Sequence, residues 1–226
     1  SLLAVSCVTV AFCSNLLMVQ DKITGARRDI TIAPVKISTL ALSYYLSTLL
    51  STLLICFIAT GVCLEYLAYV GWYLTAGDVA NVFLDVVLLV LFGTALSSCV
   101  NFPLSTQGQA SAVGTIVSAG YGFVCGAYMP ISQFSDGLQK VISFLPGTYG
   151  TSLLRNHALR GVFEEMSNQG FPDEVVEAIR DSVDCNLYFF GDIVALSNMY
   201  MILIIAILIA VAIYVAMNVM IDKRRK

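Results

Sequence analysis

The chain has 226 residues, of which 58% are hydrophobic and 12% charged, with a mean hydropathy of +0.84 and a formal net charge of −3. Such a balance leaves a water-soluble globule too little polar surface and excludes an ordinary soluble domain. The small negative charge averages two unlike faces, so it implies no soluble partner, and no nucleic acid is expected to bind.

Apolar runs at 2–19, 37–61, 79–100, 110–129 and 196–221 are each near or above the roughly 18–20 residues that a helix needs to cross a bilayer. They are continuous rather than alternating, which disfavours a membrane barrel. The fold class predicted is all-α: a polytopic membrane helix bundle with five spans, plus outer amphipathic or re-entrant helices, forming a single transmembrane domain over 1–226. Ser1 lies inside the first run, without an initiator Met, a basic leader or a cleavage motif, so that run is not a signal peptide. A preceding span is expected, giving six in the native chain.

Segment 20–36 joins the first two runs and carries Asp21, Lys22, Gly25, Arg27, Arg28 and Asp29. Its pattern predicts a short helix at the membrane surface, with Ile23, Ile30 and Ile32 dipping inward, charged side chains facing water, and Pro34 ending it. Lys36 and the terminal Lys223, Arg224, Arg225 and Lys226 add to the basic charge, and four predicted spans separate the two basic segments. The positive-inside rule then puts both, and the C-terminus, in the cytoplasm. Taken alone, the 20–36 residues fit either a connector that fixes topology and touches anionic lipid or a docking segment.

Tyr66, Tyr69, Trp72 and Tyr73 follow the second run and read as an aromatic belt at the outer interface, with Glu65 beside them. In the third run Asp78, Asn81 and Asp85 share nearly one helical face, and Asp85 lies about two turns deeper than Asp78. A carboxyl at that depth needs a protein partner or water. Two readings stay open for Asp85 and Asn81: helix packing, or a part in a substrate or proton pathway.

The fourth run places Ala110, Gly114, Ser118, Gly122 and Gly126 at four-residue spacing, a ladder that lets another helix approach closely. Its partner is either a helix of the same chain or a second subunit. Among the seven cysteines only Cys63 and Cys185 are placed to meet outside, and none of the seven has metal-ligand spacing.

Between 130 and 195 the chain becomes amphipathic and acidic and belongs outside. Ile131, Phe134, Leu138, Val141, Ile142 and Leu145 predict a helix in or on the outer leaflet, and Pro146-Gly147 breaks it. A second short helix is predicted over 148–160, and a third starts at Pro172 and runs to about Asp184. His157 is the only histidine; with no nucleophile, metal or carboxylate-pair pattern beside it, it reads as a hydrogen-bonding residue, so no catalytic residue, metal or cofactor is expected.

A span, then a mixed-charge loop with Gly25, the Arg27-Arg28 pair and Pro34-Val35, then a span, resembles the permease subunit of type-2 ABC exporters. The resemblance extends over nearly the whole chain through the order of its parts: inner loop, Pro-interrupted fourth-to-fifth connection, outer amphipathic segment after Met129 and last span with a basic tail. It implies that the inner loop docks on a separate nucleotide-binding ATPase subunit, that the ladder span lies near the axis of a permease dimer, and that re-entrant helices cap the exit. No phosphate-loop motif occurs in the chain, so the motor would be another polypeptide. The function implied is outward movement of an amphipathic, lipid-like or drug-like cargo across a bacterial plasma membrane. The alternative is an ion-gradient-driven transporter or channel titrating Asp85.

Overall fold

A computed structural model describes all residues except Ala33, Pro34, Lys36, Phe190 and Lys226; the side chains of Arg28, Thr31, Ile37, Asp136 and residues 221–225 are also outside the description. The elements are α1 (Leu2–Thr24), α2 (Ala26–Ile32), α3 (Ile37–Val70), α4 (Ala76–Asn101), α5 (Gln107–Val124), a 3-10 turn (Ile131–Gln133), α6 (Asp136–Ile142), α7 (Pro146–Asn168), α8 (Asp173–Ser182) and α9 (Leu196–Arg225). A two-residue antiparallel hairpin pairs β1 (Tyr188–Phe189) with β2 (Asp192–Ile193), turning at Gly191 with φ 103°.

Among the described residues, α1, α3, α4 and α9 are long and apolar enough to cross a membrane. The expected five spans are therefore met by four. The fourth run yields α5, only 18 residues long and rich in Gly, Ser, Thr and Gln. It nevertheless joins the two ends of the bundle: it starts beside Leu104, which Lys22 grips, and ends beside Gly126, which Arg155 grips. The second run is longer than predicted. With 34 residues, α3 reaches about 50 Å, beyond the roughly 30 Å hydrocarbon thickness, and its last turns carry exposed Tyr66 and Tyr69.

Helix α4 is the central strut, packed against α1, α3, α7 and α9. One buried cluster joins Val8, Phe12, Phe92, Leu153, Met199 and Leu203; another joins Ala4, Cys7, Val82, Val86, Leu89 and Leu154. Lipid offers helices no hydrophobic drive to associate, so van der Waals fit must hold this core. Helices α1 and α4 approach closely at Gly93 of α4, where a Cβ would lie 3.0 Å from Val8 Cα and 3.2 Å from Ala11 Cβ. The facing surface of α1 is correspondingly small: Ala4, Cys7, Val8 and Ala11 are all buried.

The outer segment differs from expectation in two respects. The first helix is short, only α6, with the 3-10 turn before it. The second is not short: α7 spans 23 residues, and its first half, from Gly147 to Leu154, is buried. Gly150 there abuts Leu89 and Leu203, so α7 starts about 16 Å down α4 from Asp78 and climbs back toward it. Small residues (Gly147, Thr148, Gly150, Thr151, Ser152) permit that approach while lowering the apolar signal that marks a buried helix. Cys63 is exposed and Cys185 buried, both as free thiols, so the bridge considered between them is not formed. Burial pushes the Cys185 thiol up to about 11, which leaves it un-ionised at neutral pH.

Candidate functional site

At the basic end, α1 runs past the predicted boundary to Thr24 and stops at Gly25, whose φ of 85° is the left-handed cap that glycine adopts without strain. Asp21 and Lys22 therefore sit on a helix and not in a loop. Lys22 Nζ donates to the carbonyls of Phe102 and, at 3.2 Å, Leu104, and it lies 5.3 Å from the Phe102 ring. A cation is favoured there because the last carbonyls of α4 lack helical partners. Asp21 accepts a hydrogen bond from Tyr44 Oη of α3 at 2.6 Å.

Both residues thus bind inward, contrary to the expectation that they face water. Arg27 is half-buried, Asp29 is exposed, and the Arg28 side chain lies outside the described residues. Ile23, Ile30 and Ile32 are exposed on the protein surface. Pro34, expected to stop the helix, also lies outside the described residues; α2 ends at Ile32.

At the other end a second set of contacts fastens α4 to α7 and α9. Asp85 is only 1% exposed; its Oδ2 is 2.6 Å from His157 Nδ1 and its Oδ1 accepts from Tyr200 Oη at 2.8 Å. Toward an ionised carboxylate, which offers only acceptors, the donor in this contact is Nδ1–H. About 10 Å farther along α4, Asp78 forms a reciprocal cap with Thr75 and accepts from Arg160 Nε at 2.5 Å. Asn81, expected beside Asp85, is half-buried and shares no described hydrogen bond with it.

Arg155 completes the fastening at this end. It pairs with Asp184 at 3.1 Å and donates to the Gly126 carbonyl, while Asp184 also accepts from the Ile131 amide at 2.9 Å. Burial is the largest influence on Asp184 and lifts its carboxyl above the usual range, against the opposing pull of the Ile131 amide and Arg155. Deeper, Asn15 Nδ2 donates to Ser98 Oγ at 3.0 Å, and Asn101 Nδ2 to Asn15 Oδ1 at 3.4 Å. Polar contacts thus fasten α4 from Asp78 to its final carbonyls.

Sequence reasoning found Asp85, its need for a partner and a hydrogen-bonding role for His157, but did not pair the two and missed the roles of Tyr200, Arg160 and Lys22. Separations of 72 residues for Asp85–His157 and 115 for Asp85–Tyr200 leave no local signal.

The small-residue ladder is only partly a seam. Ala110 and Gly122 are buried, Gly114 and Ser118 half-buried, and Gly126 lies beyond α5 with φ 69°. A Cβ on Gly122 would collide with the Tyr128 ring, whereas one on Gly114 would meet nothing within 4 Å. Gly122→Leu is therefore expected to displace the Tyr128 turn and lower the melting temperature, while Gly114→Leu leaves the fold of the single chain intact. Melting curves of the two purified variants check this directly.

The model of a family described as "ABC-2 family transporter protein" matches residues 1–214. No curated protein and no solved structure matches the chain. The family match begins at Ser1, the residue before α1, and ends within α9, so it takes in both fastened ends of α4. The chain belongs to the ABC-2 family of transporter proteins and is a permease, the multi-pass membrane subunit of an ABC transporter.

Proposed function

We propose that this permease receives force at its basic end from a separate ATPase subunit and exports an amphipathic, lipid-like or drug-like cargo. The observation that supports this most is the Lys22 grip on Phe102 and Leu104. Together with the Asp21–Tyr44 bond it makes the base of α2 one body with α3 and α4. A push on α2 is then carried along α4 to Asp85 and Asp78, where α7 and α9 are attached. Motor docking falls to Arg27, Arg28, Asp29 and the turn at Gly25, because Asp21 and Lys22 are engaged internally. In this reading the basic end is cytoplasmic, the membrane is a bacterial plasma membrane, and 1–226 acts as a single permease domain. Dimerisation uses the Gly114–Ser118 face of α5, which has room for a partner helix.

Reversing Arg27 and Arg28 to Glu is expected to weaken ATPase association about tenfold or more, since like charges facing each other cost several kcal/mol. The test is affinity purification of tagged protein in mild detergent, measuring the co-purifying ATPase and its activity. Undiminished recovery with the reversed pair would remove the docking role.

Gradient-driven transport through Asp85 is disfavoured by the carboxylate's enclosure and its two occupied oxygens. Asp85→Asn is expected to keep ATP-dependent transport. Loss of transport in that variant, with stability and ATPase activity unchanged, would favour the gradient mechanism.

A further inference from the structure

Between the first turns of α3 and the last turns of α9 lies a groove of about 370 Å³ at the basic end of the bundle. Ala41, Leu42 and Tyr45 form one wall, and Tyr214, Val215 and Asn218 the other. Its floor is closed by Tyr214, whose Oη donates to the Ala41 carbonyl at 3.1 Å and whose ring stacks on Tyr45. Its rim is apolar and open: Leu42 and Val215 are 60% and 53% exposed, and the exposed stripe continues through Leu46, Leu50 and Leu54. A groove with that rim on a multi-pass membrane protein faces hydrocarbon.

The charge beside it is one-sided. Segments 20–36 and 222–226 together hold eight basic residues against three acidic ones. Arg27 lies close enough to act electrostatically on Tyr214 in the groove floor. Lys223, Arg224 and Arg225 occupy the last turn of α9, with Arg224 about 9 Å along the axis from Asn218. An identical basic end on a second copy would be repelled here, whereas a phosphate would be attracted.

We propose that this groove holds an acyl chain of an anionic glycerophospholipid, whose headgroup phosphate is drawn to the basic charge of α2 and the end of α9. The lipid fills the space between α3 and α9 beside α2. This inference does not depend on the exporter reading.

The test is native mass spectrometry on the full chain, released from nanodiscs of equal phosphatidylglycerol and phosphatidylcholine. Wild type is expected to retain one phosphatidylglycerol, about tenfold or more in preference to phosphatidylcholine. Val215→Trp, which fills the groove, is expected to lose it with an unchanged melting temperature; Leu42→Trp serves if that variant misfolds. Arg224→Gln with Arg225→Gln is expected to keep a bound lipid but lose the headgroup preference. Equal retention of the two lipids by wild type, or undiminished retention after groove filling, overturns the proposal. So does disulfide cross-linking of Val215→Cys to a second chain in native membranes, which would make the occupant another copy.

Discussion

His157→Ala is expected to lower the stability of the permease by about 3–5 kcal/mol, because it leaves a buried carboxylate without its cationic or hydrogen-bonding partner. Asp85 is 1% exposed, and Tyr200 alone would remain to satisfy it. For a domain of this size the loss corresponds to a fall in melting temperature of roughly 6–20 °C. Asp85→Asn should cost less, about 1–2 kcal/mol, since an amide still accepts from Tyr200 and can donate to an unprotonated Nδ1. Replacing both residues by Leu should recover much of the loss, because apolar neighbours of similar volume remove the desolvation problem along with the pair. Thermal unfolding of the two single variants and the double Leu variant in one detergent compares these three costs directly. A His157→Ala protein melting within a degree of wild type would show that the pair does not hold α4 to α7.

Why so much of the architecture was legible, and so little of this clamp, follows from the range over which each signal acts. The first, second, third and last runs were readable because a bilayer demands about twenty consecutive apolar residues, and that demand is local. The start of α8 was readable for a similar reason: Pro172, Asp173 and Glu174 write a helix start into three adjacent positions. The depth of α7 was not legible. Five of the eight residues in its buried half, Gly147, Thr148, Gly150, Thr151 and Ser152, are small; they let backbones approach closely but look like loop or surface by composition. Lys22 misled for a different reason, since a lysine one turn from a helix end usually faces water; only the position of the last carbonyls of α4 shows why it turns in. Asp85 could be flagged from its depth, but naming His157 and Tyr200 as its partners required the packing of three helices.

The same limit hid the close backbone contact of α1 with α4, and it carries the second large expected effect: Gly93→Leu should abolish correct assembly of α1 on α4. A Cβ at this position already lies 3.0 Å from Val8 Cα, 3.2 Å from Ala11 Cβ and 3.4 Å from the Cys7 carbonyl oxygen. Two of those three atoms are backbone, so no rotamer change relieves them; α1 itself must move. Gly93→Ala asks for a shift of a few tenths of an ångström and should cost about 1–3 kcal/mol. A leucine asks for a separation that the surrounding buried residues, Ala4, Val8, Val86 and Val90 among them, cannot follow without leaving voids. Because helices move as rods, displacement at Gly93 also strains the Asn15–Ser98 bond and the Lys22 grip farther along the same pair. Loss of fold and loss of coupling are therefore expected together. The control is Gly61→Leu on α3, where an added Cβ meets nothing within 4 Å and the exchange should be neutral or favourable by up to about 0.8 kcal/mol of helix propensity. Size-exclusion profiles and melting curves of the three variants give the answer: a monodisperse, normally melting Gly93→Leu protein would show that α1 and α4 do not pack as closely as their small residues permit.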